Sequence, residues 1–110
     1  MPVTLINGPI MLKDTSLSNA VDCKLGEIIR IFVPPEWSYA PLSFMVSPDD
    51  VLPYANLCNP DGRWRILDVQ PNSMVLGGVT PGGYIKFRSG VPERPVPQAQ
   101  ACQFRIALMT

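Results

Sequence analysis

Apolar residues recur at every second position through this chain, and no window carries the roughly 3.6-residue period of a long amphipathic helix. That alternation is the pattern of a strand with one face buried. In PLSFMVS it sends Leu42, Phe44 and Val46 inward and leaves Ser43, Met45 and Ser47 outside. In YIKFRSG it buries Ile85 and Phe87 and exposes Tyr84, Lys86 and Arg88; in CQFRIALM it buries Cys102, Phe104, Ile106 and Leu108. EIIRIFVP puts Ile29, Ile31 and Val33 on one face and Ile28, Arg30 and Phe32 on the other. The second of those faces is too apolar for free solvent, so part of it is expected to be covered. SMVLGGV reads as a strand ending on Gly77-Gly78, and RWRILDVQ (Arg63 to Gln70) as one entered through an NPDG turn. A first strand, Val3 to Leu12, is interrupted at Asn7-Gly8-Pro9, which has no place in a central ladder. The one short helical turn expected lies in Asp14 to Asp22. About seven or eight short strands between Gly, Pro, Asn and Asp turns predict an all-β chain, a single-domain antiparallel β-sandwich or jelly-roll-like barrel. The domain runs over residues 1–110 without a boundary or internal repeat.

The alternation breaks on prolines. Thirteen of them are more than twice the usual share of about 5%, and they gather at strand ends, where they stop a sheet from growing. The densest cluster, Pro92, Pro95 and Pro97, lies in Val91 to Gln100. That segment is expected to be extended and polyproline-like, with its backbone donors and acceptors largely free. Two readings are open: a stiff arm that docks on a partner with little loss of entropy, or a rigid loop crossing from one sheet to the other.

Nine basic and nine acidic residues give no net charge, so the basic surplus that displaces counterions from nucleic acid is missing. Nucleic acid is not the expected partner. No segment approaches the ~20 apolar residues of a membrane helix, nor is a signal peptide read at the N-terminus. With no histidine in the chain, Ser-His-Asp and Cys-His nucleophile pairs and His-containing metal sites are ruled out. Cys23, Cys58 and Cys102 lie far apart, which suits small buried hydrophobes in a reducing cytoplasm rather than disulfides or zinc. Gly77-Gly78 and Gly82-Gly83 lack the lysine and following helix of a phosphate cradle and read as turns. Asp49 and Asp50 have no further carboxylates at calcium-loop spacing, while Asp14 and Asp61 read as turn residues. The residues therefore predict no catalytic, cofactor or metal site. Trp37, Tyr39 and Tyr54 are the candidate carbohydrate platform, although Trp37 at the head of a strand also reads as the plug at one end of a sandwich, and Trp64 between Arg63 and Arg65 as core.

Four elements then belong together: Ser18, Ala20, Val21 and Asp22; Pro34 and Trp37; Ala40, Leu42, Phe44, Val46, Ser47 and Asp49; and Tyr84, Lys86, Arg88, Ser89, Gly90, Pro95, Val96 and Gln98. In this order they resemble small β-sandwich virion proteins of tailed bacteriophages, most similar to the capsid decoration, or staple, proteins of epsilon15-like podoviruses. The resemblance runs from about Ser16 to the C-terminus, with little matching in Cys58 to Gly83. It implies a non-enzymatic cement protein on the outer surface of the capsid, assembled in the bacterial host cytoplasm. It also implies the major capsid protein of the same phage as partner; a homodimer or other symmetric self-association is expected separately, because closed two-fold dimers are the commonest symmetric assembly. The contact candidates on that reading are an N-terminal strand, residues 2–12, with Pro2, Val3, Leu5 and Ile6, and the arm, residues 91–100. The arm supplies Val91, Pro92, Glu93, Arg94, Pro95, Val96, Pro97 and Gln98, with Arg88, Glu93 and Arg94 as rim charges. The alternative is a tail, baseplate or fibre-associated sandwich that binds host-surface carbohydrate through Trp37, Tyr39 and Tyr54.

Overall fold

The period-two pattern folds into two antiparallel sheets packed face to face, as the sequence predicts. The computed structural model describes residues 2–110. Among them lie nine strands and no helix: β1 (Val3–Met11), β2 (Val21–Asp22), β3 (Glu27–Val33), β4 (Leu42–Ser47), β5 (Ala55–Asn56), β6 (Ser73–Val79), β7 (Tyr84–Val91), β8 (Arg94–Pro95) and β9 (Cys102–Met109). One sheet has the order β1-β9-β3-β6; the other runs β2-β7-β4-β5, with β8 paired to β7. Apart from β4–β5 and β7–β8, every ladder joins segments remote in sequence.

Between the sheets lies a continuous apolar core. Ile6, Ile106, Ile31 and Val75 are register partners across the first sheet, and Phe44 faces Phe87 across the second. An aromatic chain spans the layers: Trp37 meets Phe104 at 5.4 Å, Phe104 meets Phe87 at 5.1 Å, and Phe87 meets Phe44 at 5.2 Å, each edge to face. Such pairs add roughly 0.5–1.5 kcal/mol each beyond the area they bury. Trp37 is 2% exposed, the end plug anticipated from its position, and its indole N–H donates to the Ala40 carbonyl at 3.3 Å.

Several expectations are corrected. Opposite β9, β3 carries one extra residue between Ile28 and Arg30, whereas opposite β3 the extra residue belongs to β6, at Gly77-Gly78. The extra residue inverts the alternation, so Ile28 joins Ile31 and Val33 in the core and Ile29 is only half-buried. Arg63 to Gln70 forms no strand; isolated bridges join Leu67 to Leu42 of β4 and Trp64 to Cys58. Trp64 is half-buried rather than core, and its indole N–H donates to Glu93 at 2.6 Å. β6 runs through Gly77 and Gly78 to Val79 instead of stopping at a turn. β1 carries its irregularity at Asn7 to Ile10, with a cis Gly8–Pro9 peptide, on the edge of its sheet. The expected helical turn in Asp14 to Asp22 is absent because its backbone groups go to β7: Ser18 N–H donates to Phe87 O and Ser89 N–H to Ser16 O, at 2.9 and 2.7 Å.

The proline-rich segment is not a free arm. It turns at Pro92-Glu93 and pairs back on its own strand, Gly90 with Pro95 and Val91 with Arg94, before crossing to the other sheet. Gly90 allows the reversal: its φ is +93°, and a side chain there would run into the backbone of Arg94 to Val96. Gln98 ends the crossover with no solvent exposure. Its Oε1 accepts the Ser38 N–H at 2.7 Å, and its Nε2 donates to Ser38 O at 3.1 Å and to Ser89 Oγ at 2.8 Å. Its main chain pairs with Asp14 and Thr15. The crossover reading of Val91 to Gln100 is the one that fits this hydrogen bonding.

Arg88, expected outside, is 8% exposed beneath the hairpin. Its Nε donates to Ser43 Oγ at 3.0 Å, while Nη2 has no partner. Burial holds its pKa below the ordinary arginine value, and the nearby Glu93 carboxylate opposes that shift. Gln98→Leu strands the partners of three side-chain bonds and is expected to cost about 2–4 kcal/mol. Arg88→Met removes one bond and a poorly satisfied charge, so it is expected to cost less than about 1 kcal/mol; urea unfolding of the two variants checks the order. The three thiols are free, Cys58 exposed and Cys23 and Cys102 buried. Burial first, then Asp22, raises the Cys23 thiol to about 11. Thiol titration of the native protein is therefore expected to modify Cys58 alone, with the other two reacting only on unfolding.

Candidate functional site

The two sheets differ in what covers their outer faces. On the second, β7 and β4 turn Lys86, Arg88, Met45 and Ser43 outward, and loops and the β8 hairpin lie over part of them. Several polar groups there pair with one another, while the buried Asn56 Oδ1 opposite Met45 has no partner. Lys24 pairs with Asp22 at 3.7 Å and lies 5.2 Å from the Tyr84 ring centroid. Lys86 sits 4.4 Å above the Tyr54 ring, and the Tyr54 hydroxyl donates to Asp50. Burial and that bond push the Tyr54 hydroxyl above its ordinary pKa. Asp49 Oδ1 accepts the N–H groups of Leu52 and Val51, which hold its carboxyl below the usual range.

The first sheet has no such cover. Register places Leu5, Ala107, Arg30 and Leu76 in one row across β1, β9, β3 and β6, and Asn7, Arg105, Phe32 and Met74 in the next. These rows lie on the face opposite the core row of Ile6, Ile106, Ile31 and Val75. Leu76 is 71% exposed and Leu5 66%, and Val3, Ile10, Phe32 and Met74 are also exposed. Among the described residues neither Arg30 nor Arg105 forms an ion pair. A shallow depression of about 460 Å³ opens beside Phe32, Pro34, Met74, Gln103 and Arg105. Four strands at about 4.8 Å spacing and some six residues at about 3.4 Å rise make a face of about 300 Å². That is the scale of the largest apolar patch on a typical monomer, which is often functional.

Of the residues singled out from sequence, Pro2, Val3 and Leu5 lie at the β1 margin of this face and are exposed, while Ile6 packs on the core. Arg88 and Gln98 are buried and unavailable to a partner as folded. Val91, Pro92 and Val96 are half-buried; Glu93, Arg94, Pro95 and Pro97 are exposed on the hairpin and crossover. β1 and β7 belong to different sheets, and the segment after β8 leads across to β9 beside β1, with Gln98 bonded to Asp14 and Thr15 just after β1. The Glu93 carboxyl is held below its usual range, chiefly by the Trp64 N–H. Trp37 is in the core, and Tyr39 precedes β4 whereas Tyr54 follows it. The three aromatic residues therefore form no common platform. Sequence reasoning missed Met74, Leu76, Ala107 and Arg105 as parts of one face. The signal that pointed there was the second side of β3, with Arg30 and Phe32, too apolar to be left to water.

Compared with family models, curated proteins and solved structures, the chain has no match.

Phe32→Ser and Leu76→Asp change side chains that are already exposed and carry little of the core. Each is expected to shift unfolding by no more than about 0.5 kcal/mol, while removing the binding of apolar dyes such as ANS to this face; equilibrium unfolding and dye fluorescence check both halves.

Proposed function

We propose that this chain is a structural virion protein, a capsid decoration or cement protein that sits on the outer surface of a phage head and ties neighbouring capsid subunits together. The observation that carries the reading is the uncovered outer face of the β1-β9-β3-β6 sheet, apolar and bearing two unpaired arginines. A rigid sandwich with such a face is suited to holding a partner rather than transforming one. The resemblance of its sequence elements to phage decoration proteins supplies the class of partner, the major capsid protein of the same phage. On this reading the protein works without cofactor or catalytic group, in a jelly-roll-like sandwich that associates as a homodimer or another symmetric assembly.

Magnitudes favour a repeated, modest contact. A face of about 300 Å² falls well short of the ~800 Å² per partner of a stable standard interface. Copies arrayed on a lattice, each touching more than one subunit, gain the remainder through effective concentration. Zero net charge suits dense packing of identical copies, which would repel one another if strongly charged.

Heads assembled without this chain are expected to burst at lower temperature, or at lower chelator concentration, than complete heads, with recovery on adding the purified protein. DNA release on a temperature ramp measures this. Equal stability of the two kinds of head overturns the reading.

A further inference from the structure

Two like charges stand side by side on the uncovered face. Register sets Ala107 opposite Arg30 and Arg105 opposite Phe32, so the two arginines are diagonal neighbours on β3 and β9. The α-carbons of such a pair lie about 7–8 Å apart. Among the described residues no carboxylate comes within 4.0 Å of either guanidinium. Two carboxylates border the face, and neither serves the pair. Glu27, at the first position of β3, accepts a hydrogen bond from the Thr80 hydroxyl at 3.3 Å. Glu36 borders the same hollow of about 500 Å³ as Arg105 without pairing with it. Like charges set close together on a sheet repel each other, and no group of this chain offsets that repulsion.

The surroundings decide what can offset it. Leu5, Phe32, Met74 and Leu76 stand around the pair, all of them exposed. Ala107, in the corner between the arginines, is only 3% exposed. The stems of its neighbours therefore close over it and hold the guanidinium groups at the level of the apolar side chains. Nucleic acid or an anionic lipid surface binds through surplus positive charge spread over many phosphates. This chain has no net charge, and four apolar side chains would be left facing phosphates. An arginine framed by contacts that exclude water is instead the arrangement of a protein–protein hot spot.

We propose that Arg30 and Arg105 together clamp a carboxylate side chain of a different protein, set among apolar side chains that cover Leu5, Phe32 and Leu76. One of those apolar groups enters the depression beside Phe32 and Met74. The planar fork of each guanidinium matches a carboxylate, so two forks can share its two oxygens, and the acid cancels the repulsion between them. A second copy packed face to face fits less well, because this face carries no carboxylate among its apolar side chains. Desolvated in the interface, the acid fixes register and partner choice, while the apolar contacts keep water out. The inference rests on the decoration reading only for the partner's identity, the capsid subunit.

The test uses heads assembled without this chain and the full-length protein. Arg30→Gln and Arg105→Gln are compared singly and together, with Arg94→Gln, exposed on the hairpin of the other sheet, as the charge control. The double variant is expected to lose at least about tenfold in attachment, with its melting temperature unchanged or raised because a repulsion is gone. Arg94→Gln attaches normally. Normal attachment of the double variant overturns the clamp and leaves the decoration reading standing. An equal loss with Arg94→Gln moves the contact to the hairpin and also overturns it. If the wild-type chain does not attach at all, the decoration reading fails, and the pair is tested with synthetic peptides alternating Val with Glu or with Lys, and with a DNA oligonucleotide. Shifts of the Arg30 and Arg105 Nε–H resonances with the Val/Glu peptide alone support the inference. No shift with that peptide, or equal shifts with the DNA, overturn it. A dimer in sedimentation that the double variant abolishes would assign the pair to a second copy and overturn the choice of partner.

Discussion

The Gln98 carboxamide does for three loops what a ladder does for strands. By accepting the Ser38 N–H and donating to the Ser38 carbonyl it imitates a backbone neighbour, and its remaining proton fixes Ser89 on β7. The segment before β4, the turn after β1 and the crossover from β8 to β9 are thereby held at one point, since the Gln98 main chain also pairs with Asp14 and Thr15. A primary amide is the one neutral side chain that can both donate twice and accept at this site. With no water access, each bond is strengthened by its low-dielectric surroundings, and each would be costly to leave unmade. Trp37 is held in place by this node, and the aromatic chain through Phe104 and Phe87 follows from Trp37.

The residues behind the resemblance take on a physical meaning here. Ser18 accepts the Phe87 N–H, Ser89 and Gln98 bond each other, Gly90 lets the hairpin reverse, and Trp37 and Phe44 are core. Half of the residues behind the resemblance are buried, and only Asp22, Asp49 and Pro95 are exposed. A motif made of such residues specifies how loops are pinned to a sandwich. The outer face of the first sheet, by contrast, is built from Leu5, Arg30, Phe32, Met74 and Leu76, none of which belongs to those elements. The two kinds of information in the chain are carried by different positions.

Fold class was legible because side-chain alternation is a local property, and β4, β7 and β9 were read in correct phase. Where the reading failed, a non-local cause intervened. One inserted residue in β3 inverted Ile28 and Ile29, which no single-strand pattern can reveal. Arg88 alternates outward as expected, yet the hairpin formed by β8 closes over it, and the polyproline signal of Val91 to Gln100 yielded to bonds supplied by distant segments. The candidate face was half legible: β1 and the second side of β3 were suspect from sequence, but only register could bring β6 and β9 beside them.

The order of the first sheet has a bearing on how the molecule is made. β9, last of the described strands along the chain, is seated between β1 and β3, among the earliest. Until β9 leaves the ribosome, β1 has no ladder at all and β3 has only β6, so the aliphatic rows of both stand open to solvent. Folding of this sheet must therefore wait until β9 has been made, and a topology so dominated by remote pairings folds on the millisecond-to-second scale rather than in microseconds. That delay is the interval in which chaperones, or premature strand exchange between nascent neighbours, decide the yield.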